Sequence, residues 1–202
     1  MLINSISGFK SASLIGTCNQ QGELNLAMFS SVIHLGSNPA LIGFISRPDS
    51  VERHTLSNIK QTQQFTINQV DNSFWQAAHK TSAKYLEEEC EFVQTGLTPH
   101  YIKGILPPLV KESPLKYALR LIDIMPIPHN NTLLVVGEVI EILCTHSALK
   151  ADGYIDLESL NTVTVSGLDS YHNTQRLSRL KYAQPYQPAI RIDLNGEVIE
   201  DG

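Results

Sequence analysis

The stretch GELNLAMFSSVIHLGSNPALIGFISRPDSVERHTLSNI, Gly22 to Ile59, decides how the chain folds. At its centre ALIGFIS, 40–46, is a short apolar run of strand length, set off from what precedes it by Asn38-Pro39. A helix is expected to start between Asp49 and Thr55 and to run to about Gln61. Asp49 with Glu52 three residues on resembles a capping box, and Thr55 is an alternative cap. Val51, Leu56 and Ile59 give this helix a loose apolar face. Arg47, Arg53, His54, Thr55 and several serines therefore crowd the point where a strand hands over to a helix. A helix N-terminus carries unpaired N–H groups and partial positive charge, so a cap hydroxyl with an arginine beside it suits a phosphate monoester. The same residues also fit a plainer reading, with both arginines solvated and Thr55 only capping the helix.

Working outward, SASLIGTCN, 11–19, reads as a strand, QQGE as a glycine turn, and LNLAMFSSVIHL as the returning strand. Downstream, QFTINQV is another strand, and SFWQAAHKTSAKYLEEECEF is helical in pieces, with Ser73 as a cap. GLTPHYIKGILPPLVKESP is rich in Gly and Pro and reads as loop. LKYALRLIDIMPI and TLLVVGEVIEILC flank PHNN as a long hairpin. From about Ala148 to Pro188 the chain is polar, with two short helices expected, and Asn-Gly in DLNGEVIE predicts a final hairpin. Strands in two blocks outnumber helices, which favours an antiparallel barrel or sandwich.

The 202 residues, 42% hydrophobic and 17% charged, suffice for a real core. A net charge of −5 argues against general nucleic-acid or anionic-membrane binding while leaving room for a local basic pocket. Cys18, Cys90 and Cys144 are far apart, odd in number and without C-x-x-C, which reads as buried thiols in a reducing compartment. The opening residues lack a charged n-region with a long apolar h-region, so no leader peptide is expected, and the default is a cytoplasmic protein. The seven histidines are scattered, none at i, i+4 spacing, and no metal site is expected. EEECE, 87–91, reads as a solvated helix face. There is no G-x-G-x-x-G, no G-x-S-x-G and no H-E-x-x-H.

One ordered set of pieces goes further: Gly22, Asn25, Ala27 and Ser30; Asn38-Pro39; Ser46 and Arg47; Arg53, Thr55 and Asn58-Ile59; Phe65 with Asn68. GLTP, PPLVKESP and LLVVGEVIEI follow in order. From Ser11 to Ile142 the chain resembles the flavin reductase-like, FMN-binding split-barrel family. The resemblance implies a mainly β split barrel over residues 1–150. Residues 151–202 then form a C-terminal extension packing on the barrel or on a dimer partner. It implies FMN as cofactor, with Arg53 and Thr55 on the phosphate. Ser30, Ser31 and Val32 would lie along the ring or ribityl chain, with Ser46 and Arg47 near the ring or phosphate, and His54 and Asn58 in the same motif. His79, Lys80 and Thr81 stand where a loop often borders the flavin, and Tyr171 in the loosely matched C-terminal segment is a neighbour of the substrate face. His54 departs from the family's usual Asp, and Arg53 from its usual Lys.

The function implied is an NAD(P)H-dependent flavin reductase, a homodimer, serving a monooxygenase or another electron-acceptor protein. Two alternatives stand beside it: an FMN-holding electron carrier of the flavoredoxin kind, and a cofactor-free β-barrel module. No acid–base dyad is evident, which is consistent with chemistry carried by a cofactor.

Overall fold

A computed structural model describes residues 2–48, 54–85 and 89–199. Seven antiparallel strands make the main sheet: β1 (Ser13–Cys18), β2 (Leu24–Phe29), β3 (Ile33–Ser37), β4 (Ala40–Ser46), β5 (Gln64–Gln69), β6 (Leu115–Ile127) and β7 (Thr132–Cys144). Their order across the sheet is β2-β1-β5-β6-β7-β4-β3. Between β4 and β5 lies helix α1 (His54–Thr62), followed later by the short helices α2 (Trp75–Lys80) and α3 (Glu91–Thr95).

The two halves of the sheet approach each other through a side chain. Ser31, just past β2 at one edge, donates from Oγ to the carbonyl of Ile45 in β4 and accepts the Ile45 N–H, both at 3.1 Å. Next to this stitch the rings of Phe29 and Phe44 meet edge to face at 5.0 Å, and Phe44 meets Phe65 at 5.6 Å. These rings, with Ile15, Leu56, Ile59, Ile67, Leu119 and Val135, form the buried interior. The expected single strand LNLAMFSSVIHL is thus two strands, broken at residues 30–32 where the chain turns to make the closure.

The long hairpin of β6 and β7 bends through irregularities between Val136 and Gly137 and between Val139 and Glu141. Gly137 is required there: a Cβ would lie 2.6 Å from Cζ of Phe65. At the hairpin tip Asn130 Oδ1 accepts the N–H and the hydroxyl of Thr132.

A second apolar cluster sits between β1, β2 and the short helices, with Leu14, Leu26, Val70, Phe74, Phe92 and Val163 buried in it. Val163 comes from the C-terminal part. There β8 (Val163–Ser166) pairs with Lys10–Ser11 on one side and with β9 (Ser170–Asn173) on the other. No α-helix occurs between residues 148 and 188 among the described residues, against the two expected. Val163, Thr164 and Val165 alternate inward and outward, and that period of two, on β-branched residues, is a strand pattern. The end of the chain is held by Arg176, paired with Asp156 at 2.8 Å and Glu158 at 3.0 Å, and by Arg179, paired with Asp152 and lying 4.1 Å over the Tyr154 ring. The Asn195-Gly196 turn closes as expected, with Asp193 N–H bonded to the Glu197 carbonyl at 2.8 Å.

Ser73 does not cap α2: its N–H and hydroxyl both go to Asp71 Oδ1, and the cap position is Phe74. Asp71 begins a local turn that takes the serine out of reach. The proposed capping box of Asp49 and Glu52 lies outside the described residues.

Candidate functional site

The N-terminus of α1 is built on a buried polar lattice. Asn25, in β2, donates from Nδ2 to the hydroxyls of Thr17 at 3.2 Å and Thr55 at 3.0 Å. Asn58, one turn along α1, donates to the same Thr17 hydroxyl at 3.2 Å. All four residues are buried, so every bond replaces one lost to water. The lattice locks the first turn of α1 against β1 and β2. Thr55 Oγ1 accepts from Asn25, and its own hydrogen is taken by no acceptor among the described residues. A hydroxyl has one hydrogen and two lone pairs, so among the described residues Thr55 keeps a donor at the helix N-terminus.

Other residues expected from the sequence lie at the end of β4 and at the break between β2 and β3. Arg47 is exposed, directly after β4, and Ser46 is buried with its hydroxyl bonded to the Arg47 carbonyl at 3.3 Å. Ser30, Ser31 and Val32 form the break between β2 and β3. Ser31 spends its hydroxyl on Ile45, and Val32 packs on the aromatic interior. Arg53 lies outside the described residues. His54 opens α1, partly exposed.

Two contributors were not singled out from the sequence. Thr17 is the shared acceptor of the lattice, and nothing in a strand of mixed small residues marks it. Glu91 was read as part of a solvated acidic face. It is instead half-buried at the start of α3, where Oε2 accepts the Leu26 N–H at 3.0 Å. Burial raises its pKa, and the backbone bonds and the neighbouring His54 charge pull the other way. β2 is an edge strand with N–H groups to satisfy, and that need is invisible without the sheet order.

His79, Lys80 and Tyr171 form a separate group. Tyr171 Oη and His79 Nδ1 share a hydrogen bond of 2.9 Å, and the Tyr171 ring packs on Trp75 with centroids 5.2 Å apart. His79, Lys80 and Trp75 border a cleft of about 730 Å³ between α2 and the segment after α3. Thr81 is buried and turns its hydroxyl back to the Ala78 carbonyl at 2.8 Å. No hydrogen bond among the described residues links this group to the α1 lattice.

The geometry has counterparts in known proteins. A family model described as the flavin reductase like domain matches residues 6–158. The crystal structure of a split-barrel protein assigned as a flavin reductase, from Shewanella frigidimarina NCIMB 400, is 49% identical, with a TM-score of 0.87 over 90% of each chain. Nitrilotriacetate monooxygenase component B from Bacillus cereus shares the fold at 23% identity and a TM-score of 0.80, over 89% of this chain and 91% of that one. Flavoredoxin of Desulfovibrio vulgaris (Miyazaki F) shares it at 22% and 0.73, over 89% and 92%. The chain spans about half the length of the curated relatives it matches, 59% of one and 54% of another. The stitched antiparallel barrel, the ordered motif that builds its α1 lattice and the matched domain agree, and the chain belongs to the flavin reductase-like family of split-barrel proteins.

Proposed function

We propose that the chain binds FMN at the N-terminus of α1 and acts as an NAD(P)H-dependent flavin reductase. The observation that carries this reading is Thr55, whose hydroxyl is oriented through a lone pair by buried Asn25 while no acceptor among the described residues takes its hydrogen, at the head of a nine-residue helix. A phosphate monoester needs donors and positive charge. The helix N–H groups, the Thr55 hydroxyl, Arg53 and Arg47 supply both. Ser46, Asn58 and Ser31 hold the surrounding backbone, and His54 adds a donor beside the phosphate position. The break at residues 30–32 offers backbone partners for the ribityl chain, with Val32 as apolar wall. A terminal monophosphate suits such a pocket better than the internal pyrophosphate of FAD.

When bound, the flavin ring supplies two-electron redox chemistry, accepting hydride from NADH or NADPH. The chain's own part is to grip the phosphate, orient the ribityl and leave one ring face open to the donor. Exposed Ile122, Met125, Ile140 and Ile142 on the long hairpin support a homodimer. Cys18, Cys90 and Cys144 are all free, in keeping with a cytoplasmic setting. No described helix is long and apolar enough to cross a membrane. A monooxygenase or another electron-acceptor protein is the proposed consumer of the reduced flavin.

The test is an absorbance spectrum of the purified protein with FMN, followed by anaerobic titration with NADH and NADPH. Bleaching of the flavin bands supports the reductase, and a flavin that binds but is not bleached by either nicotinamide supports an electron carrier. Removing a charged hydrogen bond costs about 1.5–3 kcal/mol, so Arg53→Ala should weaken FMN binding roughly 10- to 100-fold. An unchanged flavin titration in that variant refutes the phosphate assignment.

A further inference from the structure

The matched family domain ends at residue 158, and the chain runs on into an arm that the domain does not account for. After β9 the segment 174–178 has no regular structure, and β10 (Arg179–Leu180) then pairs with β11 (Arg191–Ile192) as a short ribbon. The backbone bonds of this ribbon stay within the arm: Lys181 N–H to the Ile190 carbonyl, Asp193 N–H to the Glu197 carbonyl, Ile199 N–H to the Arg191 carbonyl. Every residue from Leu180 to Arg191 is exposed, and the apolar clusters of the interior draw on no described residue beyond Tyr171. Apolar burial therefore contributes little to holding the arm in place.

The attachment runs through two arginines that meet on one tyrosine. Arg176 donates to the Tyr154 hydroxyl at 3.3 Å while it pairs with Asp156 at 2.8 Å and Glu158 at 3.0 Å. Arg179 lies 4.1 Å over the ring of the same tyrosine and pairs with Asp152. It also donates to the Leu194 carbonyl at 2.6 Å, so it grips domain and ribbon at once. Each arginine holds its carboxyl partner, Asp156 or Asp152, below the usual carboxylate range, so both pairs are charged at neutral pH. Lys150 Nζ, 3.9 Å from the buried Asp156, belongs to the domain and stays with that carboxylate when Arg176 leaves. Two contacts on a shared ring are coupled: loss of one frees Tyr154 to move and loosens the other.

We propose that residues 174–199 form a detachable strap, latched to the domain as one unit by Arg176 and Arg179 across Tyr154. The strap opens and closes while the barrel stays folded. None of the latch residues belongs to the α1 lattice or to the His79 group, and the inference does not depend on the flavin reading.

Trypsin reads the latch directly. The protease must take the Arg176 side chain into its own specificity pocket, so the Arg176–Leu177 bond is cut from the open strap, although Leu177 is itself 97% exposed. The full chain is digested briefly, and initial rates at each bond are followed by mass spectrometry and normalised to cleavage of a free arginine peptide in the same buffer. Cleavage after Arg176 is expected to lag behind cleavage after Lys103, in an exposed loop of the domain, and to gain on it as sodium chloride screens the ion pairs. Arg179→Gln leaves Arg176 and its carboxylates untouched and should speed cleavage after Arg176 about tenfold, the size of one charged hydrogen bond. Tyr154→Phe keeps the ring and drops the hydroxyl, giving a smaller increase. Melting of the barrel should stay as in the parent in both variants. Cleavage after Arg176 as fast as after Lys103 in the parent protein overturns the latch. An unchanged rate in Arg179→Gln overturns the single unit, leaving two independent contacts. A barrel that melts earlier in step with faster cleavage makes the arm part of the cooperative core and overturns the strap.

Discussion

Ser31 and Ile45 are joined by two hydrogen bonds through a single hydroxyl, one donated to the Ile45 carbonyl and one accepted from its N–H, each 3.1 Å. The pair does the work of a ladder rung between β2 and β4, strands that are not neighbours in the sheet. Ser31→Ala leaves both backbone groups of Ile45 without that partner. A part-buried unsatisfied group costs about 1–3 kcal/mol, so the variant should unfold at lower temperature and lower urea, while Ser31→Thr retains most of the stability. Equal melting temperatures for Ser31→Ala and the parent would remove the closure role.

Thr17 accepts from both Asn25 and Asn58. Thr17→Val keeps the shape and strips the acceptor from two buried amides. We expect a loss of about 2–4 kcal/mol in denaturant unfolding, at 1–3 for each orphaned group with some relaxation. FMN binding should weaken as well, because Asn25 also orients Thr55. A variant that loses stability and keeps full flavin affinity would separate the lattice from the site.

Gly16 and Gly137 face atoms that cannot all move. A Cβ at Gly16 would stand 2.5 Å from the Pro108 carbonyl oxygen, which is backbone, and one at Gly137 would stand 2.6 Å from the Phe65 ring. Gly16→Ala and Gly137→Ala should each destabilise by about 1–3 kcal/mol, as overpacked cores do. Chemical denaturation of both variants checks this, and a neutral result at Gly16 would mean the Pro108 loop yields freely.

Glu91 has a pKa raised by burial. The folded state therefore keeps a proton that the unfolded chain has released, and stability falls as pH rises from the ordinary carboxylate range through the raised value. In Glu91→Gln the amide oxygen still accepts the Leu26 N–H and no buried charge remains. The variant should melt higher than the parent at neutral pH and show a flatter pH profile. It should also bind FMN more tightly, because an anion near His54 and the α1 N-terminus is gone. Melting curves from acid to neutral pH that superimpose would contradict this account.

Tyr117 is pushed up to about 12, mainly by burial, with a bond to Gln69 acting in the opposite direction. Here too the native state holds the proton longer. Its contribution to stability declines as pH climbs from about 10, where the unfolded phenol ionises, towards 12. Tyr117→Phe should lose less stability than the parent between mildly and strongly alkaline pH. Urea midpoints measured at both ends would show it, and parallel declines would not fit.

Much of the barrel was legible because its strands carry local signals. Ala40–Ser46, Gln64–Gln69 and the β6–β7 hairpin fall where apolar runs and Asn-rich or Gly-rich turns put them. The break at residues 30–32 was not legible, since Ser-Ser-Val is compatible with an unbroken strand and only the approach of β4 makes a turn favourable. The 163–173 strands were missed although Val163, Thr164 and Val165 carry a strand period, because the run is only four residues long among polar neighbours and its pairing with Lys10–Ser11 lies far away in the chain.

At the site the division is similar. The amino-acid order alone established an antiparallel β chain, a helix start rich in hydroxyls and cations, and a motif belonging to a flavin-binding family, because spacing along the chain encodes strands, caps and charge. Only the tertiary structure decided that Asn25, Thr17 and Asn58 meet behind Thr55, that Glu91 serves the Leu26 N–H, and that Tyr171 bonds His79 and packs on Trp75. Those contacts join residues up to 96 positions apart, and which hydrogen bonds a buried group makes depends on what burial brings beside it.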